Sequence, residues 1–251
     1  MELRVLNLRR TPERWAAFRT HNPSLANAQQ VEAVDGQALD LAALVAEGIV
    51  AADLNYRMGA LGNALSHIAE WQRILHTGEP ATILEDDAVL CGNFAEEASR
   101  ILKNLPQDWD LMQWGYNFDT LVAFEVLDGS SVCYATFDQT RMRAALPSFH
   151  RQAVVSQSFR LCLSLGIPAY AVSPKGAARL LAFCLPLRRT QQYYPLLGRI
   201  FDNESIDFML NSFHATASSH VAMPALALTA NNSAFSTVQE GKELVGRLLS
   251  V

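Results

Sequence analysis

The sequence predicts an α/β protein in which a mostly parallel central sheet is flanked by helices. Apolar runs of strand length alternate with amphipathic stretches of helix length along nearly the whole chain. Two of the helical stretches begin with Thr-Pro or Ser-Pro, a typical helix start. Because no internal repeat or interdomain linker is evident, we expect residues 1–251 to form a single domain.

Composition excludes some functions. Half of the residues are hydrophobic and 18% are charged, which supports a well-filled core. The net charge of −5 argues against a nucleic-acid binder, which usually carries a basic patch. An anionic ligand must therefore be held by local cations. The four cysteines lack zinc-site spacing and are expected to be buried free thiols.

The N-terminus leads directly into a strand and lacks the apolar core of a signal peptide. There is also no uninterrupted apolar run of about 18 residues, the minimum that spans a bilayer. We expect a cytoplasmic protein. Peripheral contact with the inner face of a membrane stays open.

The first predicted strand, Leu3 to Leu8, is followed by a helix from Pro12 to about Thr20. The junction carries three arginines, Arg9, Arg10 and Arg14. Guanidinium groups suit phosphate or carboxylate ligands, although surface arginines that only solvate the sheet edge are about equally expected.

The next elements are a short strand from Val31 ending at the Asp35-Gly36 turn, and a helix from Leu39 to Val50. A further helix opens near Gly59 and runs to about His76. Its start contains two glycines, followed by Ser66 and His67. Glycines allow close approach of a ligand, and a helix N-terminus favours an anion. A single histidine, however, is more often structural.

The most informative stretch is a buried strand, Ala81 to Leu84, that ends in Glu85, Asp86 and Asp87. Ligands of open α/β sheets collect beyond such strand ends. Three adjacent carboxylates repel one another, and a divalent cation would remove the repulsion. Mg²⁺ and Mn²⁺ suit one or two carboxylates together with substrate phosphates. The alternative is a solvated acidic turn that caps the following helix.

Beyond the acidic run we predict a helix from Phe94 to Leu105 and an inner strand from Trp109 to Gly115. Residues 118–164 look less regular, and their length suggests an acceptor-side excursion or lid. A strand from Ile167 to Val172 and a helix from Pro174 to Cys184 follow.

The last acidic cluster begins at Asp202 and opens a helix. Asp207 lies beside the apolar face of this helix and is less easily explained as a cap than the acids before it. A strand from Val221 to Thr229, with Pro224 suggesting an edge or bulge position, and a terminal helix from Glu240 to Val251 complete the prediction.

Five pieces of the chain, taken in order, carry a resemblance to a known family. They are Val5-Leu6-Asn7-Leu8 with Arg10 and Arg14, Gly62 with Ser66-His67, Ile83 to Ala88, Ala169 to Ser173 with Gly176-Ala177, and Ile206-Asp207. The set resembles glycosyltransferase family 25, which includes bacterial lipooligosaccharide galactosyltransferases and collagen galactosyltransferases. The Leu-Glu-Asp-Asp run with an upstream Ser-His is its most specific part.

The resemblance implies a GT-A type nucleotide-sugar fold, a UDP-sugar donor, a Mn²⁺ or Mg²⁺ ion and transfer with inversion. Matching positions place the donor near a set of six residues, with Asp87 and Glu85 as the metal ligands. That set is Asn7, Arg10, Arg14, Ser66, Glu85 and Asp86. Three positions depart from the family pattern, which often has an acid, a glutamate and a cysteine where this chain has Arg9, Ala60 and Asn63.

The resulting hypothesis is a metal-dependent transferase that moves a hexose, with galactose the first expectation, to a hydroxyl of a glycan, lipid-linked glycan or peptide. Inversion needs a general base, for which Asp207 is the candidate and His67 the reserve. Each has a structural alternative, a hydrogen bond that positions a helix. Two other classes remain: an inactive UDP- or sugar-binding module, and a metal-dependent nucleotidyltransferase. The oligomeric state is not readable from the sequence.

Overall fold

The computed structural model describes residues 1–127, 129–194 and 198–230. Within these ranges the chain forms thirteen strands and seven α-helices. In order they are β1 (Glu2–Asn7), α1 (Pro12–His21), β2 (Gln29–Glu32), α2 (Leu41–Ala46), α3 (Met58–Thr77), β3 (Ala81–Glu85), β4 (Ala88–Leu90), α4 (Phe94–Asn104), β5 (Leu111–Gly115), β6 (Leu121–Leu127), β7 (Ser131–Thr136), α5 (Gln139–Phe149), β8 (Gln157–Leu163), β9 (Ala169–Val172), α6 (Pro174–Cys184), β10 (Gln191–Tyr194), β11 (Arg199–Asp202), α7 (Ile206–His214), β12 (Ser219–Met223) and β13 (Ala227–Thr229).

Nine strands form the central sheet, in the order β2-β1-β3-β9-β5-β12-β8-β6-β7. The α/β class predicted from the sequence is confirmed. Six of the nine strands run in one direction, but only the β1–β2, β1–β3 and β5–β12 neighbours are parallel. The sheet is thus mixed, because β9 enters antiparallel between β3 and β5 and because β8 and β7 reverse direction at the other end.

Side chains of the sheet alternate between two apolar cores, one on each face. On β3, Leu84 faces the core that contains Phe18 of α1 and Phe94 of α4, whereas Ile83 faces the core that contains Trp71 of α3 and Phe213 of α7. Successive side chains of a strand point to opposite faces, so a continuous apolar run is required where helices cover both. This explains why the central strands read as unbroken apolar segments.

The segment 118–164 is more regular than predicted. Its described part forms β6, β7, α5 and β8, which extend the central sheet by antiparallel pairing. On β7, Cys133 and Ala135 pack against the core while Val132 and Tyr134 are exposed. The alternation of β7 is hard to recognise in the sequence because the strand begins and ends with polar residues. Pro147 inside α5 likewise obscures the helix. Its role as an acceptor-side excursion or lid stays a prediction.

Three smaller differences concern element bounds. The helix expected from Leu39 is reduced to the short α2, preceded by a 3-10 turn at Gly36–Ala38. The single strand expected from Val221 is divided into β12 and β13, with Pro224 between them. Proline lacks the N–H that a continuous ladder would need. The helix predicted from Glu240 lies outside the described residues.

The N-terminal part of α3 packs tightly on the segment after β2. A Cβ added at Gly62 would lie 2.6 Å from the Gly36 nitrogen and 2.6 Å from the Val34 oxygen. One turn later, Ser66 Oγ accepts a hydrogen bond from the Val34 N–H at 2.8 Å and donates one to the Gly62 carbonyl at 2.7 Å. Gly62 and Ser66 together therefore dock the helix against this segment.

We expect Gly62→Ala to destabilise the protein by about 1–3 kcal/mol, because the backbone atoms that meet the added methyl group cannot move independently. The change is measured as the free energy of unfolding in urea. Ala69→Gly, at an exposed position of the same helix, is the control and should cost about 1 kcal/mol through helix propensity alone. A gain of stability in Gly62→Ala would contradict the close packing.

Candidate functional site

The acidic run lies at the edge of the sheet where β1 and β3 end. Leu6 is paired with Glu85, so Asn7 and the acidic run end side by side. On the other side of β3, Leu84 is paired with Ala169 at the start of β9. The Glu85 N–H donates to the carbonyl of Pro168 at 2.9 Å, which fixes the strand end. The first strand, the acidic run and the entry to β9 therefore share one edge.

Asp86 is the carboxylate held most completely by protein groups. Asn7 Nδ2 donates to its Oδ2 at 2.6 Å, and Arg14 Nε donates to its Oδ1 at 2.8 Å, with a second donation from the same guanidinium. Burial lowers the pKa of Arg14, but the hydrogen bond with Asp86 and the negative charge of Asp86 outweigh burial. The pKa of Arg14 is therefore raised above its usual value. Three residues predicted to lie at the sugar donor therefore bind one another in this structure: Asn7, Arg14 and Asp86.

Glu85 is supported from α3. Asn63 Nδ2 donates to Glu85 Oε1 at 3.0 Å, and His67 Nε2 lies 3.6 Å from the same oxygen. Burial would raise the pKa of Glu85, but His67, Asn63 and the charge of Arg14 outweigh it and lower the pKa. Glu85 is therefore held as a carboxylate. Asn63 was singled out only as a departure from the family pattern, and here it contributes a direct hydrogen bond.

Asp87 is the least compensated of the three acids. Its side chain is 39% exposed, and the nearest cation is Arg14, whose guanidinium nitrogen lies 3.9 Å away. Loss of hydration and the charges of Glu85 and Asp86 raise its pKa to about 7, although Arg14 and a hydrogen bond from Thr229 act in the opposite direction. Negative charge is thus partly unsatisfied at Asp87.

An open groove of about 690 Å³ lies beyond the ends of β1 and β2. Arg10 lies on its wall and forms an ion pair with Asp35 at 2.7 Å. Arg9 also lines the groove and has no ion-pair or hydrogen-bond partner within the part of the chain that the structure describes. Asp35, expected only to form a turn, caps the 3-10 turn through the Gln37 N–H and also faces the groove.

Two predicted site residues face protein rather than solvent. Ser66 is buried and its hydroxyl is used in helix packing, as described above. His67 is completely buried, with Nδ1 2.8 Å from the hydroxyl of Tyr170. Neither has the exposed polar atom that a direct contact with a substrate requires. In the sequence, Tyr170 was recognised only as part of the family resemblance. Its hydroxyl, in an otherwise apolar strand, was the feature of the sequence that could have indicated a buried polar contact.

Asp207 lies in the first turn of α7, half buried. Its Oδ2 accepts from the Gly166 N–H at 2.7 Å, and its Oδ1 accepts from the Ser205 hydroxyl. Gly166 lies two residues before Pro168, whose carbonyl accepts the hydrogen bond from the Glu85 N–H. Asp207 therefore contacts the same segment that binds the end of β3. No direct contact joins Asp207 to the three acids in the described chain.

Within the described residues, no three His, Cys, Asp or Glu side chains form a complete metal-binding set. Asp87 and Glu85 are the available carboxylates, since Asp86 is occupied by Arg14. A site with two carboxylates is typical of Mg²⁺ when substrate phosphates supply further ligands. The raised pKa of Asp87 also indicates a position where positive charge is favoured. The residues present therefore fit such a cation.

No helix in the described part of the structure is long and apolar enough to cross a bilayer.

An α/β sheet with carboxylates at a central strand end has its candidate ligand site beyond the carboxyl ends of its strands, where proteins of this class bind their ligands. The profile of glycosyltransferase family 25, described as an LPS biosynthesis protein, matches residues 1–193. The chain belongs to this family, and its role is that of a glycosyltransferase. No curated protein matches the chain.

Asp87→Asn should stabilise the ligand-free protein at pH 8 and should stabilise it less at pH 5, where only part of the linked stability has been lost. Because the folded-state pKa is raised to about 7, the stability linked to this carboxyl is complete below its unfolded pKa and is lost as pH rises through 7. We expect a gain of about 1 kcal/mol or less, since solvent screens the exposed side chain. Urea unfolding at both pH values measures it.

The matched control is Asp86→Asn, which removes a carboxylate that Arg14 requires. This variant should lose stability at pH 8. Destabilisation of both variants to the same extent would contradict the view that Asp86 is compensated and Asp87 is not.

Proposed function

We propose that the protein is a metal-dependent, inverting glycosyltransferase of the GT-A type. It transfers a hexose, galactose in the first instance, from a UDP-sugar to a hydroxyl of a glycan acceptor. Membership of glycosyltransferase family 25 supports the class of reaction, and its description as an LPS biosynthesis protein favours a lipid-linked glycan as the acceptor.

One observation carries the proposal: adjacent acids at the end of β3 are compensated very differently. Arg14 and Asn7 satisfy Asp86, whereas Asp87 remains exposed with a raised pKa. Neutralising Asp87 would stabilise the ligand-free protein, whereas neutralising Asp86 would remove the partner of Arg14. Retention of an uncompensated carboxylate at a strand end is typical of a site whose missing positive charge arrives with a ligand.

The groove beside the acidic run has the chemistry that a nucleoside diphosphate requires. Arg9, which has no partner among the described residues, provides a guanidinium for phosphate, and Asp35 provides acceptors for ribose hydroxyls. The groove and the acidic run both lie beyond the end of β1, which supports neighbouring positions for the nucleoside and the diphosphate at one sheet edge. This arrangement supports a nucleotide sugar as donor.

Asp87 and Glu85 would hold the cation, which when bound supplies Lewis-acid stabilisation of the departing diphosphate. Arg14 forms an ion pair with Asp86 and adds positive charge beside the other two acids. Asp207 is the proposed general base that takes the proton of the acceptor hydroxyl. Its two oxygens are oriented by Gly166 and Ser205, and each retains a lone pair for that proton.

A screen for UDP release across UDP-sugars, with lipid-linked and free glycan acceptors and with or without chelator, tests the proposal. We expect release from a UDP-hexose that depends on both acceptor and Mn²⁺. Binding of UDP without release under any condition would instead indicate an inactive binding module. Formation of diphosphate from a nucleoside triphosphate would indicate a nucleotidyltransferase.

Asp87→Asn should reduce turnover at least 100-fold, because the amide cannot replace the charge that holds the cation. Turnover is measured as initial rate at saturating donor and Mn²⁺. Asp108→Asn, a change at an exposed position before β5 and remote from the acidic run, is the control and should keep the wild-type rate. Wild-type turnover in Asp87→Asn would refute the metal assignment.

Asp207→Asn should lower kcat by about 100- to 10,000-fold, the usual contribution of a general base, while UDP affinity changes little. The amide oxygen still accepts the Gly166 N–H, so the fold should be retained. The comparison variant is Asp202→Asn, which loses only the surface ion pair with Arg189. Equal losses of UDP affinity and kcat in Asp207→Asn would argue against a base.

A further inference from the structure

The buried histidine of α3 has one ring nitrogen that the fold leaves without a hydrogen bond. His67 is completely buried, and its Nε2 has no hydrogen-bond partner within the described chain. This nitrogen lies 3.6 Å from Oε1 of Glu85. An unsatisfied buried polar atom destabilises the fold, so its direction toward a site carboxylate requires an explanation.

Tyr170 determines which nitrogen of the ring carries hydrogen. Trp71 Nε1, which can only donate, gives a hydrogen bond to the Tyr170 hydroxyl at 2.9 Å. Burial raises the pKa of Tyr170 well above its usual value, so the hydroxyl keeps its hydrogen. The acceptor for that hydrogen in the described chain is His67 Nδ1, at 2.8 Å. The ring hydrogen is therefore on Nε2, the nitrogen that faces Glu85.

Asn63 acts on the same oxygen of Glu85 from one helical turn away. Its Nδ2 donates to Oε1 at 3.0 Å. Residues four apart lie on one face of a helix, so Asn63 and His67 both approach Oε1 from α3. Oε2 of Glu85 has no hydrogen-bond partner among the described residues, and the side chain is 27% exposed. The orientation of the carboxylate is thus fixed through one oxygen only.

We propose that Trp71, Tyr170 and His67 form a positioning chain that locks the Nε2–H tautomer of His67, holds Oε1 of Glu85 and leaves Oε2 available to a divalent cation. This assigns His67 a positioning role in place of the reserve role as base, because a buried ring with both nitrogens directed at protein groups does not reach an acceptor hydroxyl. The link to the cation rests on the proposed function; the tautomer does not.

The tautomer is tested first, in the metal-free protein, by nitrogen-15 NMR of histidine-labelled samples. The His67 signal is assigned by its loss in His67→Gln. We expect protonation at Nε2 in the wild type and a mixture of tautomers in Tyr170→Phe, which removes the hydrogen that Nδ1 accepts. A wild-type ring protonated at Nδ1 would overturn the proposal.

A matched control removes a hydroxyl from another fully buried tyrosine. Tyr116 directly follows β5, and its hydroxyl contacts the sulfur of Met223 at 3.3 Å. Tyr116→Phe should leave the His67 signal unchanged. A shift of equal size in this variant would attribute the effect of Tyr170→Phe to general repacking, which would contradict the chain.

Binding of Mn²⁺ in the presence of UDP, followed by electron paramagnetic resonance, tests the consequence. Affinity should fall about 10-fold in Tyr170→Phe and about 10- to 100-fold in His67→Leu, the usual range for loss of an outer-sphere partner. His67→Gln, whose amide can direct an N–H toward Glu85 as Nε2 does, should recover most of that loss. Tyr116→Phe should bind as the wild type does.

Wild-type Mn²⁺ affinity in a folded Tyr170→Phe protein that shows the tautomer shift would refute the positioning role. Absence of Mn²⁺ binding by the wild type is a different result, since it refutes the proposed metal dependence and the purpose assigned to Oε2. The tautomer measurement distinguishes the two failures because it uses neither metal nor donor.

Discussion

Repulsion among three consecutive carboxylates at the end of β3 is the constraint to which the surrounding structure responds. Each acid receives a different environment. Asp86 is satisfied by Arg14 and Asn7, Glu85 by Asn63 with His67 behind it, and Asp87 is left partly exposed. Because these supports come from β1, α1 and α3, compensation of the acids also fixes where those elements meet the strand.

Helix α3 connects the acidic run to the groove that is proposed to bind the sugar donor. Its first turns pack on the segment after β2 through Gly62 and Ser66, and that segment carries Asp35 on the groove wall. One turn further, α3 holds Glu85. Because much of its N-terminal half is buried, α3 holds the proposed nucleoside and cation positions in a fixed relation to each other.

The entry to β9 has a comparable role for the proposed base. Gln113 donates to the Gly166 carbonyl at 2.8 Å and accepts from Ser164 Oγ, while the Ser164 N–H donates to Asn211. This buried network fixes the turn that binds Asp207. Fully satisfied polar networks of this kind rigidify a local structure, so one turn positions both Asp207 and the strand that carries Tyr170.

The sequence by itself determined the secondary structure of the core and the location of the acidic strand end. Apolar runs and helix starts such as Ser173-Pro174 act over a few residues, and the structure contains the corresponding strands and α6. Family membership was also recognisable from short motifs. Only the tertiary structure decided the antiparallel placement of β9, the regular sheet extension after residue 118 and the partner of each acid. The physical reason is distance along the chain: the contacts of Glu85 with Asn63, Asp86 with Asn7 and His67 with Tyr170 join residues 22, 79 and 103 positions apart, which no local pattern encodes.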